Sequence, residues 1–588
     1  MRQPNSRSQK LSRSDFLVLQ EMRINKVRFL IELLFVILAI GVFYLQIIRG
    51  DFYFSLSIRN CVRVIPFEGV RGKILDRNGE IIVDGRVSYN ISVLPREFKQ
   101  NTDSLNKLAA LLNKSPSQIN KTIKKDFLSA STPIIVARDV DKRTAFLIEE
   151  NKFILPAVVV QLIPKRNYPY HNSASHILGY LGRIDRWRIT KLKDYGYKVK
   201  DMVGFGGIEE SLEQVLRAQD GGIQLEVDHR GGISRVLGFK QSTGGKDVYL
   251  TIDIRIQKLI EDAFAGRRGA AVVMEPDTGK IIALASFPDF YPHMFLEEDN
   301  AGYIKGLLTD ASAPLINRAI SGQYPLGSVF KLVSAIAALE RKKITAEKRF
   351  FCPGRMLAGL KEFDCWSTHH SQDLLEAITH SCNVYFYRLA LLLGPDTLSE
   401  YAGRFGLGKP SGIDLPYEAQ GFVPSLLERR IKLRNWYDGD TANFGIGQGD
   451  LLVTPIQAAR LMAAIANGGK LVKPYIVERI GAQELKPKPA VELGLDAKII
   501  KAVIEGLKQV VNAETGTANI GWGDLRVAGK TGTAQVKNKL SHGWFVGFLP
   551  YDKPKLVFCF FLEHTGPSIH AVALAHQVFK QLREEGLL

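Results

Sequence analysis

The stretch YPLGSVFKLVSAIAALE, residues 324–340, sets Ser328 and Lys331 at the start of an otherwise apolar helix. Residues three apart share one helical face, so the two side chains can touch. A serine hydroxyl is a poor nucleophile until a base takes its proton, and a lysine one turn on can be that base only when neutral. The spacing alone is common. A second copy, Ser104-Leu-Asn-Lys107, lies in a polar amphipathic stretch where a solvated face explains it. Around Ser328 the neighbours are Val329, Phe330, Leu332, Val333, Ile336 and Leu339, so Lys331 must either reach water along its stem or have a polar task.

Two further motifs lie downstream. HSCNVYFY carries Ser381-Cys382-Asn383 ahead of an aromatic-rich helix, and VAGKTGTAQ carries Lys530-Thr531-Gly532-Thr533 on a strand. Ser381 can relay a proton to a leaving amine, and Asn383 can hold a substrate amide. Burial and a nearby positive Lys530 both lower the pKa of Lys331 toward the neutral base. Lys530 with Thr531 or Thr533 suits a terminal carboxylate, while Gly532 leaves room for a peptide to lie along the strand as an added edge.

Five cysteines occur, at 61, 352, 365, 382 and 559. Three of them, with a histidine, make C-x12-C-x3-H-x12-C: Cys352, Cys365, His369 and Cys382. Three thiolates and an imidazole suit tetrahedral zinc, with His370 as an alternative ligand. A disulfide among the three, or plain buried thiols, are the other readings of the same residues.

Elements must position these groups. The 588 residues suffice for two to four domains, and 46% hydrophobic with 23% charged residues excludes wholesale disorder. FLIELLFVILAIGVFYLQII, residues 29–48, has the length of one bilayer-spanning helix and a single charge, Glu32. Seven Lys/Arg against two acids precede it, so residues 1–28 read as a cytoplasmic tail and the rest as extracytoplasmic. A cleaved signal peptide is the competing reading, against which stand the length of the apolar run and the lack of a small-x-small site after it. The net charge of +18 is scattered, without an aromatic-interleaved stripe, which argues against nucleic acid as a partner.

Residues 49–244 alternate short β-like runs with turns. RGKILDRNGEIIVDG, with Asn78-Gly79 between apolar runs, predicts a hairpin; helical patterns cover about 103–126 and 142–151. Residues 245–588 read as a second domain. KDVYLTID is strand-like, IRIQKLIEDAFA is a helix, and GAAVVMEPDTGKIIALASF is two strands. A long helical section follows, from about 325 to 470. DLRVAGKTGTAQV, HGWFVGFLP and KLVFCFFLEH then give three more strands, before a terminal helix. Strands at both ends with helices between predict an α+β domain whose antiparallel sheet is closed from both ends of the segment and flanked by helices.

Ser-x-x-Lys, Ser-x-Asn and Lys-Thr-Gly in this order form the signature shared by penicillin-binding proteins and serine β-lactamases. With RGKILDRNG, RNYPYHNSASHILGYLG, GFGGIEESLEQ, INRAISGQYPLGSVFK, ANFGIGQGDLLVTPIQAA and HGWFVGFLP, the chain resembles class B penicillin-binding proteins of the elongation branch, the penicillin-binding protein 2 type. The resemblance runs from the membrane anchor to the last helix. It implies a single transmembrane helix, an elongated β-rich amino-terminal module of the pedestal or dimerisation type, and a penicillin-binding transpeptidase domain. The implied activity is peptidoglycan D,D-transpeptidation: the serine attacks the D-Ala-D-Ala bond of one stem peptide, releasing D-Ala, and an amine of a second stem resolves the acyl-enzyme. β-Lactams mimic D-Ala-D-Ala and acylate the same serine. The backbone N–H groups of Ser328 and Thr533 are the implied oxyanion hole. A membrane glycosyltransferase of the SEDS type and the elongation scaffold are the implied partners, at the bacterial inner membrane. Some family members carry metal ligands at matching positions, so Cys352, Cys365, His369 and Cys382 are the implied holders of one structural zinc. Pro325-Leu326-Gly327 departs from the usual Pro-Pro-Gly, and Asn383 stands where several elongation enzymes have Asp. A septal transpeptidase, a β-lactamase or β-lactam sensor, and a non-catalytic scaffold are the competing functions. No group placed to activate a deacylating water is recognisable, and a hydrolase has no use for the long amino-terminal module.

Overall fold

Gly269–Met274 and Ile281–Phe287 pair with each other, and Ala528–Val536, Lys539–Leu549 and Leu556–Leu562 form a second run of neighbours. The two runs join where Gly269–Met274 lies antiparallel to Leu556–Leu562, Gly269 opposite Leu562 and Met274 opposite Val557. The result is one five-stranded sheet in the order Ile281–Phe287, Gly269–Met274, Leu556–Leu562, Lys539–Leu549, Ala528–Val536. The expected closure from both ends is present. Strands such as GAAVVM and IIALASF are buried at every position, which a sheet shows when both faces are covered. Helices Ile254–Phe264 and Ile569–Glu584 pack on it and on each other, and Pro455–Ala466 packs on its three inner strands.

This is the computed structural model of the chain; it describes residues 13–98, 102–125, 127, 133–191, 197, 201–227, 233–297 and 300–588. Residues 1–12 of the predicted tail lie outside the described residues. The helix Arg13–Phe43 continues as one π-helical turn, Tyr44–Ile48, and an 18-residue window within its Glu21–Ile48 portion has a mean hydropathy of 2.5. By length and composition it can cross a membrane.

Contacts divide the chain into two units. One comprises Met1–Glu68, Asn90–Gln161 and Asp220–Ser242; in it the expected helical region near 103–126 is two helices, Thr102–Leu111 and Pro116–Lys125. Pro116 starts the second helix and Asn113 has φ +50°, so the chain turns between them. The other unit comprises Gly69–Tyr89, Leu162–Gln219 and Thr243–Leu588. It contains the predicted hairpin, with Ile74 opposite Val83 across the Asn78-Gly79 turn. There RGKILDRNG, RNYPYH and GFGGIEESLEQ meet in a buried ion cluster. Arg71 reaches Glu209 at 2.6 Å and Glu213 at 2.7 Å, and Arg166 Nε reaches Glu209 at 2.7 Å. Glu209 is fully buried, and burial alone would raise its pKa; the two guanidiniums reverse this and hold its carboxyl below the usual range.

The section expected to be helical is not wholly so. Between Lys331–Glu340 and Asn383–Leu393 lie two small antiparallel pairs, Phe350–Cys352 with His370–Gln372 and Arg355–Ala358 with Lys361–Asp364. Their short strands lack a long alternating pattern. They bring Cys352, Cys365 and His369 beneath the start of the Asn383–Leu393 helix.

Candidate active site

Ser328 sits in a 3-10 turn, Gly327–Phe330, that runs into the helix Lys331–Glu340. In a 3-10 turn residues three apart eclipse one another, which aligns Ser328 with Lys331. Gly327 makes the turn possible: its φ is +61°, and its N–H donates to the Gly447 carbonyl at 2.9 Å. Lys331 is fully buried, its Nζ 5.6 Å from the centre of the Phe386 ring.

The amine of Lys331 rests on the Ser-x-Asn loop. Its Nζ donates to the Ser381 carbonyl at 2.7 Å, the Ser381 hydroxyl at 3.2 Å and Asn383 Oδ1 at 2.7 Å. Three acceptors match the three protons of an ammonium, so the resting lysine is fully bonded without Ser328. Desolvation lowers its pKa to about 8, against a smaller opposing pull from Cys365 and Cys382. Lys530, also fully buried, is lowered well below the ordinary lysine value, first by desolvation and then by the positive Lys331. The expected mutual effect of the two lysines therefore falls on Lys530, while burial accounts for Lys331.

Ser381 has φ +52°, a backbone that non-glycine residues seldom adopt. Its carbonyl is the acceptor for Lys331, and the next residue, Cys382, opens the helix Asn383–Leu393. Asn383 is held twice more: its side-chain amide donates to the Asp364 carbonyl at 3.3 Å, and its backbone N–H donates to Cys365 Sγ at 3.2 Å.

The Lys530 strand closes the other side. Lys530 lies opposite Val546 and Thr533 opposite Gly543, so Ala528–Val536 has a strand neighbour on one side and a free edge on the other. Thr531 is buried and its hydroxyl pairs with that of Thr517 at 2.8 Å; the Thr533 hydroxyl pairs with Ser568 at 3.2 Å. Gly532 has a packing reason beside the one its sequence suggests. A Cβ there would come within 2.9 Å of the Leu326 carbonyl oxygen and 3.2 Å of Val329 Cγ2 and Trp544 Cβ. On that face the space is filled by the nucleophile turn, so the glycine lets strand and turn pack together.

Cys352, Cys365, His369 and Cys382 each offer one ligand atom, all within 4.8 Å of one another. His369 Nδ1 lies 3.4 Å from Cys365 Sγ and 3.7 Å from Cys352 Sγ. A tetrahedral zinc with ordinary bond lengths needs sulfur-to-nitrogen edges of about 3.6 Å. The four donors fit such an ion. Cys352, Cys365, Cys382 and Cys559 are free thiols, so no disulfide joins the three of the cluster. A hydrogen bond from Cys382 favours the thiolate on Cys365 and disfavours it on Cys382. His370 lies outside the cluster, paired with Cys352 along the strands.

Buried Lys331, Ser381 and Lys530 and half-buried Ser328 and Asn383 thus lie where the nucleophile turn, a helix start and an edge strand meet. Sequence reasoning missed Thr517, which holds Thr531, and Gln448, whose side-chain amide reaches the Thr533 carbonyl at 3.3 Å. Only the flanking glycines of GIGQGD hinted at the second.

The family profile for the penicillin binding protein transpeptidase domain matches residues 269–584, and that for the penicillin-binding protein dimerisation domain matches residues 66–250. The chain is 32% identical over 577 residues to the peptidoglycan D,D-transpeptidase MrdA of Haemophilus influenzae, covering 92% of this chain and 88% of that protein. Penicillin-binding protein PBP2 of Helicobacter pylori, solved in complex with MreC, superposes with a TM-score of 0.79 at 27% identity, over 90% of this chain and 99% of that one. A chain from a peptidoglycan synthase complex that coordinates polymerization and crosslinking superposes with a TM-score of 0.73 at 28% identity, over 95% and 97%.

Proposed function

Because this chain belongs to the penicillin-binding protein transpeptidases, we propose the residues by which it does that family's chemistry. It is a peptidoglycan D,D-transpeptidase of the elongation type, working through a serine acyl-enzyme that β-lactams trap. The observation that carries the assignment is the pair of fully buried lysines, Lys331 bonded to the Ser381-Cys382-Asn383 loop and Lys530 near enough to feel the charge of Lys331. No solvated or purely structural role explains two desolvated amines at one site.

In the proposed mechanism Lys331 loses a proton to reach its neutral form and turns from the loop to Ser328. Ser328 Oγ attacks the carbonyl carbon of the penultimate D-Ala while Lys331 takes the hydroxyl proton. Negative charge develops on the carbonyl oxygen beside the N–H groups of Ser328 and Thr533. The C–N bond breaks, the terminal D-Ala leaves with a proton relayed through Ser381, and the ester on Ser328 remains. Asn383 holds the donor's amide, and Lys530 with Thr531 and Thr533 receives its terminal carboxylate. The amine of a second stem then attacks the ester; the C–O bond to Ser328 breaks as the new amide forms, and the amine's proton passes through Lys331 to Ser328 Oγ.

A zinc ion fits the Cys352, Cys365, His369 and Cys382 donors. It would brace the catalytic loop from behind, with all four positions filled by protein and none open for chemistry. We assign residues 1–28 to a cytoplasmic tail, 29–48 to a single inner-membrane anchor, 49–244 to a pedestal module and 245–588 to the transpeptidase domain. The relatives solved with MreC and within a synthase complex support a scaffold and a SEDS-type glycosyltransferase as partners of the pedestal and anchor. Labelled penicillin, followed by peptide mass mapping, tests the reading. A persistent adduct on Ser328 that Ser328→Ala abolishes is the expected result. Rapid release would favour hydrolysis, and no adduct would refute the catalytic assignments.

A further inference from the structure

A cavity of about 350 Å³, which the proposed mechanism does not use, includes Gly449 and Asp450 in its wall. Two residues earlier the Gly447 carbonyl accepts the Gly327 N–H at 2.9 Å, so this stretch of wall is anchored to the turn that carries Ser328. Phe422 and Leu452 also line it and exchange both backbone hydrogen bonds, at 2.7 and 2.9 Å, which makes that side rigid.

Three cations line the cavity: Arg429, Lys432 and Arg434. Local structure brings them together. Ser425 caps the short helix Leu426–Ile431 by accepting from the Glu428 N–H at 3.2 Å. Leu433, with φ +53°, then turns the chain back, and the Arg434 N–H bonds to the Arg429 carbonyl at 2.9 Å. Two of the three charges are answered within the protein. Arg429 reaches Asp450 at 2.8 Å and Asp440 at 3.4 Å, while Lys432 pairs with Glu428 and lies 5.4 Å over the Phe422 ring. The exposed guanidinium of Arg434 meets no acid among the described residues. The buried Nε of Arg429 has no hydrogen-bond partner there either. An unanswered guanidinium and a spare buried N–H in one cavity suit an anion, and a planar carboxylate matches the fork of an arginine.

The proposed reaction uses two stem peptides, each ending in a carboxylate, and Lys530 with Thr531 and Thr533 receives one of the two. Resting on the transpeptidase reading, we propose that the cavity lined by Arg429 and Arg434 is a second carboxylate-binding site for a stem peptide. The acceptor stem is the favoured source, because its terminal carboxylate has no receiver among the catalytic and strand residues. Held there, the acceptor meets the Ser328 ester as a positioned amine and not by free encounter. An acidic side chain on the donor stem presents the same chemistry, and the test separates the two.

The test uses the full-length chain in detergent and reads ratios, so that a general loss of activity cancels. In the first arm an N-acyl-D-Ala thioester without a side-chain carboxylate acylates Ser328. The acyl-enzyme is then shared between water and a short peptide with a side-chain amine, ending either in a carboxylate or in a carboxamide. In the second arm no acceptor is added. Two thioester donors are compared there for acylation rate, one with a side-chain carboxylate before the D-Ala and one with a carboxamide. The unsubstituted chain should favour the acid acceptor over the amide by about three- to tenfold, the worth of one partly exposed charged hydrogen bond. Arg434→Gln, at an exposed position, should remove that preference. A preference seen and lost in the donor arm alone upholds the site and assigns it to the donor stem. No acid preference in either arm, or one that Arg434→Gln leaves unchanged, overturns the proposal while the transpeptidase reading stands. Failure of the unsubstituted chain to be acylated at Ser328 by penicillin or thioester is a different result, and removes the underlying reading itself.

Discussion

Raising the pH through the range of Lys331 perturbs the proposed mechanism without changing a residue. The amine must be neutral to accept the Ser328 proton, and desolvation lowers its pKa from 10.5 to about 8. At pH 7 an ordinary lysine is neutral in about 3 molecules in 10,000, whereas one titrating near 8 is neutral in about a tenth. Burial therefore raises the fraction of competent base by about 300-fold. The sign follows directly: acylation rises with pH while Lys331 is being deprotonated and levels off above its pKa. Between pH 6.5 and 8.5 the predicted increase is about 25-fold, with little further gain by pH 9.5. The assay is the second-order rate of acylation by a fluorescent penicillin, read at fixed ionic strength across pH 6 to 9.5. A rate independent of pH across this window would refute Lys331 as the titrating base. A rate still climbing tenfold per pH unit at 9.5 would refute the claim that burial lowers its pKa. Lys331→Met should abolish acylation at every pH.

Removing the metal, or Cys382→Ser, should lower Tm and slow acylation together, with elemental analysis giving one zinc per untreated chain; metal-free protein of unchanged Tm and acylation would exclude the brace. Gly532→Ala forces a Cβ against the Leu326 carbonyl and Val329, so it should cost about 1–3 kcal/mol and slow acylation at least about tenfold. Thermal unfolding with the same fluorescent assay checks this, and normal acylation would contradict the packing role given to the glycine. Glu209→Gln removes the charge that Arg71 and Arg166 share and should destabilise by about 3–5 kcal/mol. A shift in Tm of less than a degree in scanning calorimetry would show that the cluster contributes little.

Much of the site was legible because each catalytic type has few uses in such surroundings. A lysine among Phe330, Leu332 and Val333 has to be either solvated or chemical, and two more polar triplets in order removed the first option. The sheet was legible for a related reason, since GAAVVM, IIALASF and LVFCFFL are too uniformly apolar for an exposed face. What the chain concealed depended on distant partners. Gly532 reads as open space until Leu326 is seen against it, and Ser328 with Lys331 reads as a bonded pair until Ser381 and Asn383 are seen to claim the amine. Gln448 lies 85 residues from the carbonyl it reaches, beyond any local pattern. The two small strand pairs that carry the cysteines were hidden because three- and four-residue strands leave no periodicity to detect.

The pairing of Gly269 with Leu562 sets an order on biogenesis. Synthesis proceeds from the amino terminus, so the Gly269–Met274 strand emerges long before Leu556–Leu562 exists to flank it. Until then an all-apolar strand has one unpaired side, and the Lys530 strand has no sheet to join. Contacts this distant along the chain are slow to form and leave sticky intermediates exposed. The nascent transpeptidase segment must therefore be shielded from aggregation until its last strands arrive. Acylating capacity should appear abruptly at the end of synthesis, and a ribosome stalled before residue 556 should carry a chain that no penicillin can label.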